Sequence, residues 1–178
     1  VASFTRDAEA KKRQILDAFA DLVRQKGYAA ITMRDIAEAA NVSVGIIYRY
    51  FPAGKPEVTS RLYEDYLLTV TPVEIDPDTP EALEAEIRRH LESHRKNADL
   101  YRAFDVANLE NHDIFAGSKR TRDAVLAERY RDKERAKRIS LNYAIVDALV
   151  HRHILLEKIT PTDEELIQLL LRLVKSRS

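Results

Sequence analysis

Tyr48 and Arg49 stand side by side in residues 32–51, TMRDIAEAANVSVGIIYRYF. A guanidinium next to a phenol on one short helix is the chemistry of gripping phosphate, the first as a fixed fork of charged donors and the second as a hydroxyl. A helix that also offers its first residues to base edges has what is needed to read duplex DNA in the major groove. The bland alternative is a merely exposed helix surface. The residues around the pair favour the DNA reading.

Those residues dictate the elements that must position the pair. Thr32 is a good N-cap, and Asp35 stands where a capping-box acid faces the positive end of a helix. Ile36, Ala37 and Ala40 give that helix a narrow apolar face, small enough for a second helix to approach at a steep angle. Asn41 tolerates left-handed backbone better than other non-glycine residues, so Asn41 and Val42 form a turn. Ser43 then caps a second helix, predicted over residues 44–50. Ile47 points inward with Val42, leaving Val44, Tyr48 and Arg49 to other faces. Upstream, Ile15, Leu16, Phe19, Leu22 and Val23 recur every three or four positions within residues 8–26, and Gly27 suits a C-terminal cap. Arg6, Lys11, Lys12 and Arg13 at the leading end, and Lys55 ahead of Pro56, stand where phosphates could be gripped on either side of a groove.

Taken in order, these features resemble the N-terminal DNA-binding domain of the TetR family of bacterial transcriptional regulators. The resemblance covers residues 8–70. It is carried by the basic start, the first helix ending in Gly27-Tyr28, the Ile31-Thr32 entry, Ile36-Ala37, the Val42-Ser43 turn and the run Ile47-Tyr48-Arg49-Tyr50-Phe51. It implies that Arg34 and Val44 meet bases, that Thr32, Ser43, Tyr48, Tyr50 and Lys55 contact phosphates alongside Arg49, and that Gly45 lets the backbone come close. Pro52-Ala53-Gly54-Lys55, followed by Pro56, departs from the family pattern, which more often has one small residue between the proline and the lysine.

Composition agrees with an all-helical protein in two parts. The 178 residues are 45% hydrophobic and 33% charged, with four glycines and no cysteine. That length can bury a proper core, and the lack of cysteine removes a disulfide framework, a thiolate metal site and a cysteine nucleophile. No apolar run reaches the roughly 18 residues of a membrane span and no signal-peptide pattern opens the chain, so the expectation is a cytoplasmic protein without a membrane partner. The net charge is zero, but it is partitioned: residues 1–56 carry nine Lys/Arg and six Asp/Glu, residues 57–118 six and fourteen, and residues 119–178 fourteen and nine. The excess of +3 at the N-terminal end, kept apart from −8 in the middle, allows a local field that attracts DNA.

The expected organisation is a helix-turn-helix domain over residues 1–56, a connecting helix over 57–70, and a second helical domain over 71–178. Three prolines and several acids interrupt residues 71–80. Thr79 with Pro80 restarts a helix over 81–97, another follows over 99–110, and residues 112–118 form a break. Residues 119–138 hold nine basic and four acidic side chains, a run better explained by solvation than by a second nucleic-acid contact. Thr162 and Glu165 make a capping box for the last helix.

Leu141, Ile145, Ala148, Leu149 and Leu156 line one late helix, and Leu166, Leu169, Leu170, Leu173 and Val174 the other. Stripe width leaves two readings open, completion of the subunit's own core or a surface for a second copy. The family resemblance implies the latter, with Leu141, Ile145, Leu149, Leu166, Leu169, Leu170 and Leu173 in a homodimer interface, and two-fold symmetry implies a pseudo-palindromic DNA site. Glu86, His90 and His94 share a helical face at metal-binding spacing, but the helix is highly charged and shows no dedicated further ligand. The expectation there is a solvated face, with no metal and no cofactor. His151 and His153 point about 200° apart on a helix and would not chelate together. Tyr66, Tyr101, Phe104, Phe115 and Tyr143 suit an ordinary core better than a ligand cavity.

No nucleophile elbow, glycine-rich phosphate loop or specific metal spacing indicates catalysis. The expected function is that of a homodimeric repressor released from double-stranded DNA by a small-molecule effector the sequence does not identify. The alternative gives the second domain to a protein partner.

Overall fold

In the computed structural model of the chain, the described residues are 2–70, 79–114, 124 and 132–175, with side chains described for 7–66, 79–114, 124 and 132–174. They form helices α1 (Ala2–Lys26), α2 (Met33–Ala39), α3 (Val44–Tyr50), α4 (Lys55–Val70), α5 (Pro80–Lys96), α6 (Ala98–Glu110), α7 (Lys133–His151) and α8 (Asp163–Lys175). A 3-10 turn over Tyr28–Ala30 and a π turn over Arg152–Leu156 complete the described elements, among which there is no strand. Phe115, residues 71–78 and most of the 119–138 basic run lie outside the described residues.

The chain packs as two units, residues 1–68 with 99–119, and residues 69–98 with 120–178. In the first, Ile15, Leu16, Phe19 and Val23 of α1 bury against Tyr28, Ile31, Ile36, Ile47 and Phe51. Phe19 meets Tyr28 edge-on at 6.4 Å, a favoured aromatic geometry. Helix α6 belongs to this unit, where Phe104 lies 5.1 Å from Tyr63 and 6.1 Å from Tyr66, and Tyr101 lies 5.5 Å from Tyr66. Tyr66, Tyr101 and Phe104 therefore serve as packed aromatic core.

The second unit buries Leu83, Ile87 and Leu91 of α5, Tyr143, Val146 and Val150 of α7, and Leu166, Ile167, Leu170, Leu171 and Val174 of α8. This corrects part of the interface expectation. Leu166 and Leu170 are sealed within the protomer's own core at 0% exposure and have no surface left for a second chain. Ile145, Leu149 and Leu169 are only partly covered by that core, while Leu141 is 49% exposed and Leu173 half-buried. The apolar stripe of α8 is wider than one neighbour can cover, and it divides into an inward and an outward side. Leu156 also departs from its expected stripe. The π turn widens the helix after His151 and turns Leu156 out to solvent.

A second correction concerns Glu86, His90 and His94, which are buried rather than solvated. Helix α5 carries many charges, but they sit on its other faces, and α7 covers this one. Tyr143 of α7 lies 5.3 Å from the His90 ring. Helix starts follow the sequence closely: Thr79 caps α5 through the Ala82 N–H, and the Thr162 hydroxyl accepts from the Glu165 N–H at the head of α8. Asp132, within the basic run, caps α7 by accepting from the N–H groups of Glu134 and Arg135.

Candidate nucleic-acid interface

The helix pair α2–α3 is built by its caps. The Thr32 hydroxyl accepts from the Asp35 N–H at 3.3 Å, and the Asp35 carboxylate accepts from the Thr32 N–H and from its hydroxyl, each at 2.6 Å. The Lys26 ammonium at the end of α1 closes on the other carboxylate oxygen at 2.7 Å. Lys26 first, then the Thr32 side chain and N–H, hold the Asp35 carboxyl well below its ordinary range. Sequence reasoning identified the box and missed Lys26, whose distance from Asp35 along the chain hides the pair.

Asn41 takes φ 48°, the left-handed turn anticipated for it. The Val42 N–H reaches back to the Ala37 carbonyl at 2.9 Å, and Gln14 of α1 donates to the Ala40 carbonyl at 2.7 Å. The end of α2 is thereby tied to α1. Ser43 caps α3 by accepting from the Ile46 N–H at 3.3 Å, a bond that uses a lone pair and leaves the hydroxyl hydrogen for a phosphate oxygen. Ile47, fully buried, fixes the roll of α3. Arg34, Gly45, Tyr48 and Arg49 are exposed as a result, with Val44 and Tyr50 half-buried.

At Gly45 an added Cβ would meet only the Ser43 hydroxyl oxygen, at 3.8 Å, so the backbone there is open to close approach. Gly54 has a different role. Its φ is +73°, and a Cβ would lie 3.4 Å from the Tyr48 ring and 3.8 Å from the Met33 sulfur. Glycine at this position therefore makes the turn before α4, where the positive φ rather than crowding excludes a side chain. The Arg49 guanidinium lies 6.0 Å from the centre of the Tyr50 ring, at the outer limit of a cation–π contact.

Two of the expected phosphate contacts have other partners. Both donors of Thr32 go to Asp35, so in the free chain Thr32 sets the helix end. Lys55 turns inward and donates to the carbonyls of Tyr28 at 3.1 Å and Ile31 at 3.0 Å, with its ammonium 4.2 Å from the centre of the Tyr28 ring. An ammonium has three N–H donors, so one is left for an outside acceptor. At the leading end of α1, Lys12 pairs with Glu9 at 2.8 Å and Arg13 with Asp17 at 3.0 Å. Exposed pairs of this kind are weak and exchange readily for a phosphate.

Residues 15–58 match the family profile described as bacterial regulatory proteins, tetR family. Over those residues the chain is similar to the DNA-binding segment of that family. Its TetR-type segment is similar to the HTH-type transcriptional repressor KstR of Rhodococcus jostii, 41% identical over 56 residues, which are 32% of this chain and 26% of that protein. The match thus spans about a quarter of the curated relative's length. Over nearly the whole chain the fold is that of a TetR transcriptional regulator from Rhodococcus sp. RHA1, with a TM-score of 0.73, 17% identity, and coverage of 97% of this chain and 99% of that one. A TetR-family regulator from Streptomyces coelicolor aligns with a TM-score of 0.61 and 22% identity over 95% of each chain. These structural likenesses extend the TetR-like fold through α5–α8.

Proposed function

We propose that the chain is a cytoplasmic, homodimeric repressor that occupies a pseudo-palindromic operator in double-stranded DNA. The observation that carries this reading is the capped α2–α3 pair, which leaves Arg34, Ser43, Val44, Gly45, Tyr48 and Arg49 accessible on a rigid support. In this reading Arg34 and Val44 meet base edges, Gly45 admits the sugar-phosphate backbone, and Ser43, Tyr48, Arg49 and Tyr50 hold phosphates. Thr32 joins them when its hydroxyl turns from Asp35, and Lys55 adds its remaining donor. The functional division runs at residues 1–56 for DNA binding, 57–70 as connecting helix, and 71–178 for pairing and effector control.

One recognition helix covers too few base pairs for specificity, so a second copy is required. The outward residues Leu141, Ile145, Leu149, Leu169 and Leu173 are the side chains left for it. An effector held in the second domain would release the operator only by binding the DNA-incompetent arrangement more tightly than the competent one. The test is selection of bound sequences from a random duplex pool at near-physiological salt. A two-fold symmetric site, bound by two chains, is the expected result. Binding without sequence preference, or by a single chain, would overturn the reading.

A further inference from the structure

We propose that the exposed face of α6 is a docking surface for a second copy of this chain, which lies across it antiparallel through its own α6. The inner face of this helix is already occupied: Leu100, Tyr101, Ala103, Phe104 and Ala107 are buried in the first unit. On the opposite face stand Val106, 40% exposed, and Leu109, at 84% the most exposed large apolar side chain among the described residues. They are three residues apart and so neighbours along one helical face. A single exposed apolar side chain is ordinary, but two side by side form a patch that water does not favour.

The charges that bracket the pair identify the occupant. Arg102 lies one turn before Val106, and Asp113 four residues beyond Leu109, both exposed. The Asn111 N–H keeps the helical bond to the Ala107 carbonyl, and the Ile114 N–H closes on the Asn111 carbonyl. The chain therefore turns on past the end of α6 and carries Asp113 with it. Arg102, Val106, Leu109 and Asp113 step by four, three and four, the spacing of a seam between two helices.

A stripe that reads cation, apolar, apolar, anion is complementary to itself turned end for end. Under a two-fold axis between Val106 and Leu109, Val106 of one copy meets Leu109 of the other and Arg102 meets Asp113, each contact being made twice. A parallel arrangement would set like charge against like. Both charges are available for this. Asp113 holds no ion pair among the described residues, and Arg102 holds Asp99 at 3.4 Å in solvent, a weak pair that gives way to a better-placed carboxylate.

Four side chains per copy fall short of the roughly 800 Å² per partner of a stable interface. The contact is therefore transient between free chains and forms where copies are already held close together. Helix α6 belongs to the unit that carries α2 and α3, and its exposed stripe uses none of the outward leucines of α7 and α8. If that unit occupies operators as proposed above, the α6 contact joins neighbouring bound copies and makes occupancy of adjacent sites cooperative. That consequence rests on the DNA-binding reading, whereas the self-docking does not.

The chain has no cysteine, so single introduced cysteines report the register directly. Val106→Cys and Leu109→Cys, at exposed positions, are made separately in the full-length chain and oxidised without DNA, each alone and the two mixed in equal amounts. The mixture should give disulfide-linked pairs in at least about threefold higher yield than either variant alone, because a disulfide needs Cβ atoms about 3.5–4.5 Å apart. Added to both chains, Arg102→Asp should cut that yield at least about fivefold at low salt. Arg102→Asp together with Asp113→Arg should restore it, since reversing both charges leaves the stripe complementary to itself. Equal yields from mixed and single variants, a yield that Arg102→Asp leaves unchanged, or a double reversal that keeps its helices but fails to restore cross-linking would overturn the proposal. If a charge variant loses its helices by circular dichroism, the comparison of mixed with single cysteine variants decides alone. Failure of the operator selection would remove the DNA reading and leave the cross-linking result standing.

Discussion

Replacing Lys55 with methionine separates two roles that sequence alone merges. The ammonium donates to the Tyr28 and Ile31 carbonyls at 3.1 and 3.0 Å and lies 4.2 Å from the centre of the Tyr28 ring. Hydrogen bonds from a charged donor are each worth about 1.5–3 kcal/mol. The Tyr28 carbonyl keeps the Ile31 N–H at 3.2 Å, and methionine recovers the packing of the lysine stem, so the expected loss is about 2–3 kcal/mol. The chain has no tryptophan to report unfolding, and circular dichroism would mix the two units. Native-state hydrogen exchange at the buried residues Phe19 and Ile36 isolates the first unit. Opening there should become easier by that amount, with a smaller change at Val146 and Leu170 in the second. Binding to non-specific duplex should meanwhile lose no more than about one unit of salt slope. A variant that loses the full unit of slope while its exchange is unchanged would show the ammonium on the outside and refute the clamp.

Arg34→Ala and Val44→Ala should change base preference in a selection experiment, whereas Tyr48→Phe should weaken binding to every sequence alike; an unchanged preference with Arg34→Ala removes its base role. Leu166→Ala should destabilise the second unit by about 2–5 kcal/mol through a core cavity, while Leu141→Glu should leave the thermal melt nearly unchanged and shift sedimentation toward the monomer. Asp35 gives a pH test. Its native pKa is depressed, so on acidification the unfolded chain takes up the proton first. Stability that is fully present above the unfolded value near 3.8 is lost as pH falls toward the native pKa, and Asp35→Asn should flatten that part of the acid-denaturation curve.

Local rules worked where the determining partners are neighbours in the chain. Thr32 with Asp35, Asn41 at positive φ, Ser43, Thr79 with Pro80, and Thr162 all act over three or four residues, and each helix start emerged where its cap was read. The exposed set on α2 and α3 was legible for the same reason, since Ile36 and Ile47 fix which sides face inward. The Lys26–Asp35 and Gln14–Ala40 links lay beyond that reach, because they join residues on separate helices.

The helices, their caps and the surface of the α2–α3 pair follow from short-range hydrogen bonding and 3.6-residue periodicity, both readable along the chain. Which faces of those helices are dry depends instead on how the helices pack against one another. Glu86, His90 and His94 read as solvated within a charged helix, yet α7 covers them and brings Asp147 and His151 alongside. Leu166 and Leu170 likewise read with the outward leucines of α8 until α5 and α7 enclosed them. A periodic pattern says that a face is apolar or ionisable. Burial depends on the helix packed against that face, which periodicity does not specify.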